Sequence, residues 1–143
     1  MTAPDFLDTN ILVYAYDPSD RKKQNLAMGL LRKALAGQMK VSTQVLAEFS
    51  STLLHRISPP APPQHLKVIL NALAPIPVVA PDGDLVQRAV EVHAKYGLRF
   101  YDGMIVAAAE RGGCQRIWSE DLNAGQHYFG IIVENPFLEI RAN

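Results

Sequence analysis

Short apolar runs alternate with longer amphipathic stretches along this chain. Phe6 and Leu7 read as a brief strand that delivers Asp8, and residues 11–16 read as a short helix. Asn10 is the expected N-cap of that helix, and Asp17-Pro18-Ser19 its end. Between 21 and 36, Leu26, Leu30, Leu31 and Leu35 recur on one helical face until Gly37 stops the pattern. Lys40-Val41 is too short to classify and leads into the capping pair Ser42-Thr43. A helix over 44–57 carries the stripe Val45, Leu46, Phe49, Leu53 and Leu54, and the prolines at 59, 60, 62 and 63 end it. Those prolines read as a stiff surface connection rather than a domain boundary.

Residues 64–73 predict another helix, and residues 76–79 a strand. Asp82 or Asp84 caps the next helix, whose apolar positions are Leu85, Val86, Ala89, Val90 and Val92 and whose stop is Gly97. Residues 104–110 form the most apolar helix, introduced by Phe100-Tyr101-Asp102-Gly103 and ended by Gly112-Gly113. Being apolar all round, it belongs in the interior. Residues 114–119 and 130–134 are the last strands, and Asn135-Pro136 breaks the second. Short strands alternating with longer helices define an α/β class with a mostly parallel sheet. Residues 1–143 are expected to form a single domain.

Composition narrows the function classes. The chain has 143 residues, 48% of them apolar and 20% charged, with 14 basic and 14 acidic side chains. If several acids gather in one pocket, the remaining surface is net basic, which suits a polyanionic partner. The single cysteine, Cys114, excludes an intrachain disulfide and a thiol-rich zinc site and is expected to be a small buried residue. The N-terminal residues lack a basic and then apolar leader pattern, and no apolar run reaches the ~20 residues of a membrane span. The expected compartment is the cytoplasm.

Four acids stand where chemistry is plausible. Asp8 follows an apolar strand; because Asn10 is able to cap the following helix, the Asp8 carboxylate is spare. Glu48 lies near the buried stripe of its helix. Asp102 is placed as the N-cap of an apolar helix, whose positive end also favours an ionised carboxylate. Asp121 follows a strand. In a parallel sheet all four gather at one edge, where their charges repel and raise one another's pKa. A divalent cation removes that conflict, and an all-oxygen site suits Mg²⁺ or Mn²⁺ better than zinc. His55, His65, His93 and His127 have no ligand spacing. Trp118 is expected in the core, and Arg21-Lys22-Lys23 on a solvated face. Arg56, Lys95, Arg99 and Arg116 are candidates for phosphate contacts.

Phe6-Leu7-Asp8-Thr9-Asn10-Ile11-Leu12, Leu46-Ala47-Glu48-Phe49, Tyr101-Asp102-Gly103-Met104-Ile105-Val106-Ala107-Ala108-Ala109 and Trp118-Ser119-Glu120-Asp121-Leu122 resemble, in order, the motifs of PIN domains. The stretch Gly130-Ile131-Ile132-Val133-Glu134-Asn135-Pro136-Phe137 is similar to the ending of bacterial VapC-type toxins of that family. The resemblance implies a three-layer α/β/α sandwich around a central parallel sheet. It also implies Mg²⁺- or Mn²⁺-dependent endoribonuclease activity as the toxin of a type II toxin–antitoxin pair. By motif, Asp8, Glu48, Asp102 and Asp121 are the catalytic and metal-binding quartet, with Thr9, Asn10 and Ser119 beside them. The implied partners are RNA, a cognate antitoxin and a second copy of the chain.

Two other readings differ in their expectations. A non-catalytic RNA-binding PIN domain is marked by loss of an acid, whereas all four are present. A phosphotransferase with Asp8 as nucleophile, as in haloacid dehalogenase-like enzymes, has a second aspartate two residues on. This chain has Asn10 there.

Overall fold

The structure is a computed structural model that describes residues 2–138. Six strands, β1 (Asp5–Leu7), β2 (Met39–Ser42), β3 (Val78–Val79), β4 (Arg116–Trp118), β5 (His127–Tyr128) and β6 (Ile131–Glu134), form one sheet in the order β3-β2-β1-β4-β6-β5. All neighbours are parallel except β5 and β6. The helices are α1 (Thr9–Tyr16), α2 (Arg21–Leu35), α3 (Thr43–His55), α4 (Pro63–Leu73), α5 (Gly83–Tyr96) and α6 (Phe100–Arg111).

The strand order assigns the layers. The steps β1 to β2 and β2 to β3 move one way along the sheet, and β3 to β4 moves back across both. Crossovers between parallel strands are right-handed, so α1–α4 cover one face and α5–α6 the other. Packing agrees: α1 lies on α2 and α3, α3 on α4, and α5 on α6. This is the expected α/β/α sandwich. Phe6, Leu7, Val41, Ile117 and Val133 are fully buried between the helical layers. Cys114 is buried too, as expected.

Several local expectations change. Lys40-Val41 belongs to β2, which a two-residue apolar clue does not reveal without its parallel partner β1. Strand β5 was not anticipated at all. It joins β6 through Phe129-Gly130, with φ of 50° and 80° at the two turn residues. Two positive φ values match the right-handed twist of a hairpin, but the usual signal is Asn-Gly or Asp-Gly, and phenylalanine hides it. The Phe129 N–H donates to the Tyr96 hydroxyl at 2.8 Å, and Arg88 stacks 3.8 Å from the Phe129 ring centroid, holding this unusual backbone. Trp118 is only half-buried; its indole N–H donates to Asp5 at 3.0 Å while its ring packs on the core.

Helix α6 is the buried one, with Gly103 and residues 105–109 all inside. It packs closely on α5 because Gly103 has no side chain: a Cβ there would stand 2.9 Å from the Ala89 carbonyl oxygen. A backbone neighbour gives little, so Gly103→Ala is expected to destabilise the fold by about 1–3 kcal/mol. Chemical denaturation measures this, and an unchanged midpoint would refute the close approach.

Candidate metal centre

The carboxyl ends of β1 and β4 lie side by side, since Leu7 pairs with Trp118. The chain leaves β1 toward β2 on one side, and β4 flanks it on the other, which makes this the crevice where open α/β sheets bind ligands. Asp8 remains attached to the sheet through its N–H, which donates to the Trp118 carbonyl at 3.0 Å. That holds Asp8 extended, so α1 begins at Thr9 and Asp8 itself is the N-cap. The expectation that Asn10 caps α1 is therefore corrected. Asn10 lies inside the helix, and its Oδ1 accepts from the Glu120 N–H at 3.4 Å.

Asp8 is one of few buried polar side chains. Its Oδ1 accepts from the Thr9 N–H at 2.7 Å, and its Oδ2 from the Ser119 hydroxyl at 2.8 Å. Ser119 Oγ in turn accepts the N–H groups of Asp121 and Leu122, each at 3.1 Å. With both lone pairs so engaged, that hydroxyl has to donate to Asp8. Burial pushes the Asp8 carboxyl up to about 6 against the two hydrogen bonds, and the charges of Asp121 and Glu48 push the same way. Those two acids are thus near enough to act on Asp8.

Glu48, on the exposed side of α3, accepts from the Thr9 hydroxyl at 3.4 Å and from Gln44 Nε2 at 3.1 Å. Gln44 Nε2 also donates to the Tyr101 carbonyl at 3.1 Å, which links Glu48 to the start of α6. Asp102 is adjacent but differs from expectation. It sits in the first turn of α6, whose N-cap is Arg99 with extended backbone and no capping side chain. Its Oδ2 lies 3.5 Å from Arg99 Nε. The charges of Glu48 and Asp121 both act on Asp8, whereas Asp102 is linked to Glu48 through Gln44 and the Tyr101 backbone.

A cleft of about 470 Å³ opens beside these acids, with Thr9, Asn10, Tyr14, Glu48, Arg56 and Asp121 among its walls. Asp8 and Asp102 do not line it. Among the described residues no three Asp, Glu, His or Cys side chains stand close enough to enclose an ion as they are. The donor chemistry nevertheless fits a hard divalent cation: all the acids offer oxygen, and a buried carboxyl beside two others gains most from added positive charge.

The four candidate phosphate contacts separate. Arg116 starts β4, at the opposite edge of the sheet, and pairs with Asp5 and Glu134, each at 3.4 Å. Arg99 faces Asp102, and Lys95 lies over the rings of Tyr96 and Phe129. Arg56 lines the cleft, two turns beyond Glu48, with no ion pair among the described residues. Lys23 is the residue misjudged from sequence. Arg21 and Lys22 are solvated, but Lys23 is mostly buried against Glu120, a partner 97 positions away that no local pattern reveals.

The chain belongs to the PIN domain family, whose pattern it matches over residues 6–129. Proteins of this family are in general nucleases that use divalent metals. A toxin–antitoxin complex from Klebsiella pneumoniae has a similar fold, with a TM-score of 0.65 and 19% identity, covering 94% of this chain and 98% of that one. VapC20 of Mycobacterium tuberculosis, described as a Sarcin-Ricin loop cleaving toxin, gives 0.61 and 19% over 82% and 89%. DNA-bound VapBC of Salmonella typhimurium gives 0.62 and 19% over 94% and 99%. At such identities the likeness is one of fold. No curated protein sequence matches the chain. Among the described residues no helix is long and apolar enough to cross a membrane.

Proposed function

We propose that this protein is a Mg²⁺- or Mn²⁺-dependent endoribonuclease of the VapC type, the toxin of a type II toxin–antitoxin pair. In this reading residues 1–143 are one PIN-like domain that works in the cytoplasm as a homodimer and is restrained by a cognate antitoxin. Asp8, Glu48, Asp102 and Asp121 are the metal-binding and catalytic acids, and Thr9, Asn10 and Ser119 support them. The observation that carries the proposal is the buried Asp8 carboxylate, held by Thr9 and Ser119 beside a cleft walled by Glu48 and Asp121, in a PIN domain. Similar folds in toxin–antitoxin complexes support the choice of partner.

A bound divalent cation supplies Lewis acidity toward a phosphodiester and toward the attacking water. The protein's own contribution is orientation. Thr9 N–H and the Ser119 hydroxyl fix both oxygens of Asp8, and Gln44 holds Glu48. Glu48 and Asp121 face the cleft, where either carboxylate is placed to accept a proton from water. Arg56 offers the same cleft a guanidinium for a phosphate beyond the scissile one.

The decisive assay incubates single-stranded RNA with protein in Mn²⁺, in EDTA, and in EDTA followed by excess Mn²⁺. Cleavage is expected only in the first and third. Cleavage that persists in EDTA overturns metal dependence, and RNA binding without cleavage in any arm favours the non-catalytic reading. Arg56→Ala is expected to raise KM for RNA roughly 3–10-fold with kcat retained, the size of one solvent-exposed hydrogen bond. Its log–log salt dependence of RNA binding is expected to flatten by about 0.7. An unchanged salt slope removes Arg56 from the RNA path.

A further inference from the structure

Asp121 stands in the connection between β4 and β5, where no helix or strand sets its position. It is also exposed. Its neighbour Glu120 is held quite differently. The Glu120 Oε1 accepts from the Tyr14 hydroxyl at 2.6 Å, and its Oε2 from Lys23 Nζ at 2.6 Å. Lys23 Nζ also donates to the Tyr14 oxygen at 3.2 Å, so the three groups close a triangle. The side chains of Lys23 and Glu120 are only 17% and 12% exposed.

The surroundings fix the triangle further. Lys23 Nζ lies 4.8 Å and 5.3 Å from the ring centroids of Tyr14 and Phe137, which meet edge to face at 5.1 Å. The Glu120 backbone N–H is held by Asn10 on α1. On the other side, Ser119 ties the same connection to Asp8.

Removing a lysine–glutamate pair from water is costly, and such a pair is poor evidence for stability in itself; its best-attested use is to fix a register. Here the register is that of residues 119–121 against α1. One helix carries Asp8 at its cap, Asn10 in its first turn and Tyr14 further along. The same helix thus locates both the first acid and the connection that bears the last.

We infer that Lys23, Tyr14 and Glu120 are positioning residues that anchor the 119–121 connection to α1 and α2, thereby setting where Asp121 stands relative to Asp8. In this scheme they act through Asp121; Lys23 and Glu120 stand outside the cleft, and Tyr14 also forms part of its wall. The part concerning metal and RNA rests on the proposed function; the anchoring itself does not.

The test uses Tyr14→Phe, which keeps the ring and removes one donor, and the double variant Lys23→Met with Glu120→Gln, which removes both charges of this pair together. Lys23→Arg is the conservative rescue. Three quantities are measured on the full chain: amide hydrogen exchange, Mn²⁺ affinity by calorimetry, and RNA cleavage with KM and kcat separated. In the double variant, exchange at residues 119–126 is expected to speed up at least about tenfold, a local opening that leaves α5 and α6 protected. Mn²⁺ affinity and kcat are expected to fall about 10–100-fold, as when the partners of metal ligands are lost, with KM little changed. Tyr14→Phe shifts the same readouts less, and Lys23→Arg alone, which keeps a cation opposite Glu120, leaves most of them near parental values.

Unchanged exchange at 119–126 overturns the anchor. Faster exchange with parental Mn²⁺ affinity and kcat overturns its role in placing Asp121. If α5 and α6 lose protection equally, the triangle is a general stabiliser and the inference also falls. Should the parent itself bind no Mn²⁺ and cleave no RNA, the proposed function fails, and the exchange arm still decides whether the anchor exists.

Discussion

RNA cleavage in Mn²⁺ is expected to fall on the order of 10³-fold in Asp8→Asn, the loss typical of removing one preorganised electrostatic element from a reaction centre. Glu48→Gln and Asp121→Asn are expected to fall comparably, because the charges of both acids act on Asp8. A group that works as a unit loses most of its effect with its first member, so Asp8→Asn with Asp121→Asn should be little worse than either alone. Single-turnover cleavage at saturating Mn²⁺ measures this. Fully multiplicative losses would mean that the acids act independently, and retention of parental rates in Asp8→Asn would end the metal-nuclease reading. Asp102→Asn is the informative member, since its carboxylate is joined to the others only through Gln44 and the Tyr101 backbone.

At neutral pH Asp8→Asn is expected to raise stability while it lowers activity. Asp8 titrates near 6 in the folded chain against 3.8 for a free side chain, chiefly because it is buried. A carboxyl whose folded pKa is raised favours the folded state fully below the lower value and loses that contribution as pH rises through the upper one. Metal-free parent is therefore expected to lose about 2.4 kcal/mol between pH 4 and pH 8 through this group, and Asp8→Asn is not. The asparagine carries a constant cost of about 1 kcal/mol, because its amide meets donors on both sides. The pH dependence is consequently the diagnostic. In EDTA the melting temperature of the variant should gain on the parent by roughly 10 °C across that range. Parallel curves would show that Asp8 is not strained by burial.

The layers, the parallel sheet and the long helices were legible because burial imposes its period on sequence. Of the expected stripe in α3, Val45, Phe49 and Leu53 are buried and Leu46 and Leu54 partly so. In α2, by contrast, the buried face is Ala27, Leu30 and Ala34, and Leu26 and Leu35, expected on it, are exposed. The acids were legible as residue types following strands, but their local roles were not. Asp8 and Asn10 are both good caps two residues apart, and what selects Asp8 is a hydrogen bond to Trp118, contributed by a strand over a hundred positions away. Phe100 and Tyr101 suit a strand end as well as a helix start, so the first turn of α6 extended past its expected beginning. Lys23 looked like one charge in a basic run because its partner arrives only when β4 docks beside β1. Local chemistry is written in the sequence; which of two equivalent local options is used depends on tertiary neighbours.

The sheet ends on both sides in strands of two residues, β3 and β5, and Pro77 immediately precedes β3. Such brief borders give a foreign strand almost no ladder to extend, and the proline lacks the N–H that the ladder would use. Growth of the sheet from one molecule into the next is therefore disfavoured at either border. When copies of this chain or other proteins associate with it, the helical surfaces are left to carry the contact, and an edge-templated route to fibrils is blunted by the architecture itself.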